Sequence, residues 1–328
     1  MRRSVLTHLR RRLVHAVLVI LGIIVLNFFL VRLAPGDPAS VIAGQSGAGD
    51  AAYVAQLRQA FGLDRPLLEQ LWIYLRAVGS LDLGMSYHQQ RPVLVMIGER
   101  IGPTLLLTSA AFAIGLIGGV VLGVTSAQRP AGARDTIIAV AALTFYATPL
   151  FWSGILLILA FSLWLQWLPA VGMTTLGADL TGPAYLGDVA RHLLLPAITL
   201  GLFYVAIYAR LTRAAMIEAA GQDWVRTARA KGAGEWRVFR VHVLRSALLP
   251  VITFAGLQAG QLIGGAVLVE TVFTWPGIGR LAFEALLGRD YNVLLGILLC
   301  TSCFVVLANM ATDFLYVLAD PRVDMEPR

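Results

Sequence analysis

Six stretches of this sequence are apolar over lengths that can cross a lipid bilayer, and this feature constrains the fold more than any other. The hydrocarbon core is about 30 Å thick, so a helix needs roughly 17–25 apolar residues to span it. We therefore predict an all-α integral membrane protein with six transmembrane helices. The predicted spans are 13–32, 104–127, 136–163, 192–212, 249–272 and 294–317.

The composition supports a membrane protein rather than a soluble one. Hydrophobic residues make up 58% of the chain and charged residues 14%, against about 45–50% and about 25% in soluble domains. The mean hydropathy is +0.74. The net charge of +7 falls mostly beside the apolar runs, as the positive-inside bias predicts, so we expect a lipid bilayer and no nucleic acid as a partner.

The orientation follows from the distribution of arginine and lysine. The run 13–32 is longer than the apolar core of a signal peptide, roughly 7–15 residues, so we expect it to remain uncleaved. With a cytoplasmic N-terminus, the segments predicted inside, 1–12, 128–135, 210–248 and 318–328, carry 17 of the 26 basic residues. This bias predicts a cytoplasmic N-terminus (1–12), a cytoplasmic C-terminus (318–328) and a cytoplasmic loop at 213–248.

The remaining sequence divides into an outer segment and a five-helix core. Residues 33–103 are polar and rich in proline, and we expect an extracytoplasmic loop with short helices around 52–60 and 67–78. The core covers 104–317, including the cytoplasmic loop.

Small residues recur every fourth position in two of the spans, which is typical of helices that pack closely. The second stripe lies in a span that also carries two glutamines, which are costly facing lipid. These glutamines and a tyrosine pair at helical spacing are the candidates for a translocation path. The packing candidates are Gly115, Gly119, Gly123, Gly256, Gly260 and Gly264, and the path candidates are Gln258, Gln261, Tyr204 and Tyr208.

Motifs for catalysis are missing from the sequence. A phosphate-binding P-loop needs Gly-x-x-x-x-Gly-Lys-Ser/Thr, and the only lysine, Lys231, is followed by Gly232. The five histidines lack paired ligand spacing, and Cys300 and Cys303 lie inside an apolar run, so we expect neither a metal site nor catalytic residues. Any ATP that drives this protein is then hydrolysed by another subunit.

Basic charge is concentrated in DWVRTARAKGAGEW, residues 223–236. We expect a short amphipathic helix, with Asp223 in its first turn and Gly232 closing it in the left-handed conformation. Contact with anionic lipid would explain the arginines. Docking into a groove of a partner protein also explains the tryptophans, since Trp and Arg are typical anchor residues. Trp224, Val225 and Ala228 are predicted on the apolar face, and Asp223, Arg226 and Arg229 on the charged face.

Five motifs carry a resemblance that covers essentially the whole chain. The stretch DWVRTARAKGAGEWRVFRVHVLRSALLP resembles the coupling region of permease subunits of bacterial ABC importers for dipeptides, oligopeptides, nickel and glutathione. The other four motifs, in the order of that family, are LAPGDPA, FGLDRPLLEQ, VFTWPGIGRL and LADPRVD.

The resemblance implies a type I ABC importer permease fold in the inner membrane. Its implied partners are a second related permease, two subunits that bind ATP and magnesium, and an extracytoplasmic solute-binding protein, so that this chain itself holds no cofactor. Arg226–Thr227–Ala228 stands where Glu-Ala-Ala is usual, and Pro250 falls later than in the general pattern. The residues implied in ATPase coupling are Asp223, Trp224, Arg226, Thr227, Ala228, Arg229, Ala230, Lys231 and Gly232.

The substrate stays open at this point. The breadth of the family favours di- or oligopeptides, with nickel or glutathione as alternatives. We expect the binding protein to contact Trp275, Pro276 and the 62–90 region. The alternative from another class is a proton-coupled carrier, but such carriers commonly bury ionisable groups at mid-membrane, and the predicted spans hold few.

Overall fold

The computed structural model describes residues 2–33, 51–60, 64–86, 88–259 and 266–319, and these fold into helices joined by turns. One isolated antiparallel bridge joins Met85 and Pro92. Two segments, π1 (Ile158–Trp164) and π2 (Val238–Leu244), are π-helical. The α-helices are α1 Arg2–Leu33, α2 Ala51–Ala60, α3 Leu67–Gly79, α4 Val93–Ala127, α5 Ala133–Ala147, α6 Leu150–Leu157, α7 Gly182–Ala220, α8 Asp223–Ala230, α9 Glu235–Arg237, α10 Arg245–Ala259, α11 Val267–Val272, α12 Ile278–Gly288 and α13 Tyr291–Ala319.

Four helical stretches in the described residues are long and apolar enough to cross a membrane by themselves. The pair formed by Ala133–Ala147 and Leu150–Trp164 bends by 105° and gives a fifth span if it is counted as one. The predicted first span, 13–32, lies within α1, whose apolar part in the described residues is Val14–Leu30. The count of six stays a prediction. The four stretches are Val93–Ala127, Gly182–Ala220, Glu235–Gly256 and Tyr291–Met310.

The prolines of these helices occupy two kinds of position, between two helices or inside one. Thr148, which precedes Pro149, adopts an extended conformation and separates α5 from α6, because a residue before proline avoids the helical region. Pro103 and Pro196, by contrast, lie inside α4 and α7. Helix α4 begins well before the predicted span at 104, since neighbouring helices can satisfy the backbone groups that a proline leaves free. Helix α7 also begins earlier than the predicted span at 192, at Gly182.

The chain divides into two compact units. In the unit made of Met1–Gly102 and Leu281–Met310, Phe28 of α1 lies against Tyr74 of α3, with ring centroids 5.8 Å apart. Asp290 of the same unit accepts a hydrogen bond from the Ser86 hydroxyl at 2.5 Å. The other unit comprises Pro103–Arg280 and Ala311–Arg328.

Helix α7 is the centre of the second unit, and 67% of its apolar membrane-spanning stretch is buried. It packs closely against α4 along the first glycine stripe. A Cβ atom added at Gly115 would lie 2.2 Å from Tyr204 Cβ, and one at Gly119 would lie 2.4 Å from Tyr208 Cβ. Only glycine leaves room for so close an approach of the two backbones. The second predicted stripe cannot be compared, because Gly260 and Gly264 lie outside the described residues.

Candidate functional site

Helix α8 is a separate short helix, closed at its C-terminus by a defined motif. Gly232 has a φ of +80°, the left-handed conformation that the sequence predicts. The Ala233 N–H donates to Ala228 O at 3.2 Å, and the Gly232 N–H donates to Arg229 O at 2.9 Å. This pair of bonds is the Schellman motif, which satisfies carbonyl groups that would otherwise lack partners.

Val225 anchors α8 to the rest of the chain. Its side chain is fully buried in an apolar cluster that includes Met216 of α7 and Val238 of π2, and Ala228 packs against the same cluster. Trp224 is different, because its side chain is 49% exposed. The predicted apolar face of α8 thus has two parts, with Val225 buried against the chain and Trp224 exposed. Adjacent residues in a helix point about 100° apart. Because Val225 points into the cluster, Trp224 points away from it.

The outward side of α8 carries arginine, lysine and tryptophan. Arg226 lies 3.6 Å from Asp223 with both side chains largely exposed, and Arg229 forms a two-bond ion pair with Glu235 at 2.9 and 3.3 Å. We call this exposed set the α8 surface. It consists of Asp223, Trp224, Arg226, Thr227, Arg229, Ala230, Lys231, Gly232, Glu235 and Trp236.

The aromatic part of the α8 surface comes from two positions. Trp236 is 68% exposed and stacks on Phe239 with ring centroids 5.8 Å apart, while Trp224 stands on α8 itself. Exposed tryptophans beside arginines are the composition of protein–protein anchor sites. Basic side chains alone would suit a lipid or an acidic ligand equally well.

The π-helical segment π2 connects this surface to the next span. Val238 and Val243 are buried in the same cluster as Val225, and their separation of five residues matches the i→i+5 hydrogen-bond spacing of a π-helix. Val241, between them, is exposed. The wider turn of the π-helix places the buried positions five residues apart instead of three or four.

The candidates for a translocation path lie in different surroundings. Tyr204 and Tyr208 are buried, and Phe112 of α4 lies 6.3 Å and 6.1 Å from their rings. Gln258 is partly buried near the end of α10, and Gln261 lies outside the described residues. A role for any of these residues in a path stays a prediction.

The loop after α11 is held by buried contacts that the sequence did not reveal. Trp275 is fully buried and its indole N–H donates to Pro103 O at 2.9 Å, so its side chain cannot be the predicted contact for a binding protein. Glu270 is also fully buried, and accepts hydrogen bonds from the Thr104 hydroxyl at 2.6 Å and the Arg280 N–H at 3.0 Å. The sequence did contain a sign of this burial, because Glu270 lies near the end of the predicted span 249–272 and a carboxylate at membrane depth needs polar partners.

The described residues contain no group of three or more His, Cys, Asp or Glu side chains placed to hold a metal ion. Cys300 and Cys303 are free thiols on α13.

The fold is that of an ABC importer membrane subunit. The chain is similar to a subunit of the MetNI methionine ABC transporter in an inward-facing conformation, with a TM-score of 0.55 over 69% of this chain and 96% of that one, at 18% identity. The family described as binding-protein-dependent transport system inner membrane component matches residues 119–325, and its N-terminal component matches 5–108. The chain belongs to this family.

Relatives with similar sequences extend over almost the whole chain. A putative peptide permease of Brucella ovis is 39% identical over 95% of this chain and 98% of its own length. The glutathione transport system permease of Pectobacterium atrosepticum is 39% identical over 97% of this chain and 99% of its own length. The dipeptide transport system permease of Escherichia coli K12 is 37% identical over 95% of this chain and 97% of its own length. This chain is a permease subunit of a transport system in the inner membrane, and the proton-coupled carrier finds no support.

Proposed function

We propose that this chain translocates di- or oligopeptides in an ATP-driven importer, and that the α8 surface is where it docks on an ATP-binding subunit. The observation that carries the proposal is the construction of α8. Val225 and the Schellman motif fix the helix to the chain, while Trp224 and Arg226 remain exposed. This arrangement leaves the anchor residues of a docking site available to a partner.

The same construction allows α8 to carry mechanical work. An isolated helix of eight residues is marginal in water, so its stability comes from packing on α7 and π2. A partner that moves α8 must therefore move those elements with it. Closure of the ATP-binding subunits would tilt α7 and α10, and a central cavity would change from inward-facing to outward-facing.

The proposed assembly contains this chain, a second related permease as a heterodimer and two ATP-binding subunits that bind ATP and magnesium. The sequence has no P-loop of its own, which supports hydrolysis by these partners. The basic residues of 213–248 favour a cytoplasmic location for α8, with both termini on the same side. An extracytoplasmic binding protein would contact α3, where Leu68 and Trp72 are 82% and 68% exposed.

The relatives support a peptide substrate, with glutathione or a nickel complex as alternatives. Two of them are named as peptide or dipeptide permeases and one as a glutathione permease. Measuring the affinity of this transporter's solute-binding protein for dipeptides, glutathione and nickel separates the three substrates.

The docking role is tested with Arg226→Glu and Trp224→Ala in the complete transporter. We expect both variants to insert in the membrane, and ATP-driven uptake to fall about ten-fold or more, because hot-spot anchors contribute at least 2 kcal/mol. Uptake is measured in proteoliposomes loaded with ATP, and the tagged chain is assayed for the ATP-binding subunits that co-purify with it.

Arg58→Glu is the matched control, since Arg58 is an exposed arginine on α2, outside α8, and undergoes the same charge reversal. Its uptake should stay close to that of the unmodified protein. Normal uptake by both α8 variants would contradict the docking role. Uptake that persists without ATP and stops when a proton gradient collapses would contradict the importer itself.

A further inference from the structure

A buried carboxylate at the start of α5 holds together three helices of the second unit. Asp135 is only 4% exposed. The guanidinium of Arg213 on α7 donates to both of its oxygens, from Nε to Oδ1 at 2.6 Å and from Nη2 to Oδ2 at 2.7 Å. This two-bond geometry fixes orientation as well as distance.

Two further donors complete the site. The Ser126 hydroxyl, in the last turn of α4, donates to Oδ1 of Asp135 at 2.5 Å, and the Ala131 N–H in the α4–α5 turn donates to Oδ2 at 2.8 Å. One carboxylate thus accepts four hydrogen bonds, about the capacity of its lone pairs. We call Asp135, Arg213, Ser126 and Ala131 the carboxylate clamp.

The clamp is built on the helices that support the anchor of α8. Helix α7 continues without a break from Arg213 to Ala220, and α8 begins at Asp223. Val124 and Ala127 of α4 pack against the apolar cluster that holds Val225. The clamp and the α8 anchor therefore share α4 and α7.

We infer that Asp135 and Arg213 are positioning residues through which movement of α8 reaches α4 and α5. The inference rests on the proposed coupling function of α8. Apolar helix contacts can slide past one another, whereas separating this ion pair leaves the buried carboxylate of Asp135 without its charged partner and is unfavourable, although the Arg213 side chain is 36% exposed. The clamp makes α4, α5 and the adjoining part of α7 move as one body when α8 is displaced.

The first test uses Asp135→Asn and Arg213→Lys in the assembled transporter in nanodiscs or proteoliposomes. Asparagine removes the charge with little change in shape, and lysine keeps the charge but loses the two-bond geometry. We expect the amount of substrate transported per ATP hydrolysed to fall about five-fold or more, which is the lower end of typical coupling between sites. ATP hydrolysis itself should continue, because the ATP-binding subunits remain attached.

The matched control is Glu99→Gln, which removes the carboxylate of the exposed Arg91–Glu99 pair at 2.5 Å. Its ratio of transport to hydrolysis should not change, since exposed pairs contribute little. Unchanged ratios for both clamp variants would overturn the inference. Trp224→Ala is measured in parallel: if it also leaves the ratio unchanged, the docking function of α8 fails too, whereas a reduced ratio for Trp224→Ala alone refutes only the clamp.

The second test measures movement directly and does not depend on stability. Spin labels are placed at Thr136→Cys on α5, an exposed position, and at Gln222→Cys, the half-exposed residue that precedes α8 and lies outside the α8 surface. The chain used has Cys300 and Cys303 replaced by alanine. The distance between the labels should be the same in the nucleotide-free and vanadate-trapped states of the otherwise unmodified transporter. In Asp135→Asn or Arg213→Lys it should differ between the two states. A distance that already changes without the clamp variants would show that α5 and α8 move independently.

Discussion

At the scale of single residues, Gly232 and Trp224 show what a sequence can and cannot predict. Gly232 was predictable, because a glycine after a short charged helix has one favourable use, the left-handed C-terminal position. The sequence did not determine which of two adjacent apolar residues, Trp224 or Val225, would be buried. That depends on how α8 packs against α7 and π2, whose apolar cluster contains Val225.

A pair of glycines isolates the conformational contribution of Gly232. A Cβ atom at Gly232 or at Gly234 would meet no heavy atom within 4 Å, but only Gly232 has a positive φ, since that of Gly234 is −61°. Gly232→Ala should destabilise the end of α8 by about 1–2 kcal/mol. We expect amide hydrogen exchange across 223–233 to accelerate about ten-fold, and Gly234→Ala to leave it unchanged. Equal exchange in the two variants would mean that the left-handed residue does not hold α8 in place.

At the scale of helices, their existence was predictable and their ends were not. The short helices expected around 52–60 and 67–78 are present as Ala51–Ala60 and Leu67–Gly79. Hydropathy placed the start of the second span at 104, although α4 begins at Val93, because Pro103 is accommodated inside the helix. The π-helical turn of π2 follows from tertiary packing, and a 3.6-residue period cannot reveal it.

The α4–α7 contact gives a prediction about helix packing. A Cβ atom at Gly119 would lie 2.4 Å from Tyr208 Cβ and 3.0 Å from the Ala209 backbone nitrogen. Gly119→Ala should therefore destabilise the protein by about 1–3 kcal/mol through overpacking. The measurement is the temperature at which the purified transporter unfolds in detergent.

Gly98→Ala is the control on the same helix, because a Cβ atom there would meet nothing within 4 Å. Alanine is the better helix former, so this variant should be neutral or slightly more stable. If Gly119→Ala were tolerated equally well, α4 and α7 would not be packed as closely as the structure shows.

At the scale of the whole molecule, the motifs predicted more than the hydropathy count did. Five motifs in order indicated the importer family before any contact was known, and the family match is confirmed. The number of spans was harder to predict, because α5 and α6 form a strongly bent pair. The burial of Trp275 and Glu270 depends on contacts with Pro103 and Thr104, which lie far away along the sequence.

The orientation of the whole chain is testable by labelling from each side of the membrane. In a chain without Cys300 and Cys303, Lys231→Cys and Glu69→Cys each provide one exposed thiol. The positive-inside bias predicts that a membrane-impermeant maleimide reaches Glu69→Cys in intact spheroplasts and Lys231→Cys only after permeabilisation. The opposite pattern would invert the topology and remove α8 from the cytoplasm.

Because α8 is so short, a peptide that imitates it would be a poor inhibitor of its proposed contact with the ATP-binding subunit. Eight residues, Asp223–Ala230, are too few to stay helical once they are cut from α7 and π2. A linear peptide copied from this segment would have to fold as it bound and would lose affinity in doing so. An effective competitor would need the helix built in, through a covalent staple or a macrocycle that replaces the support now given by Val225.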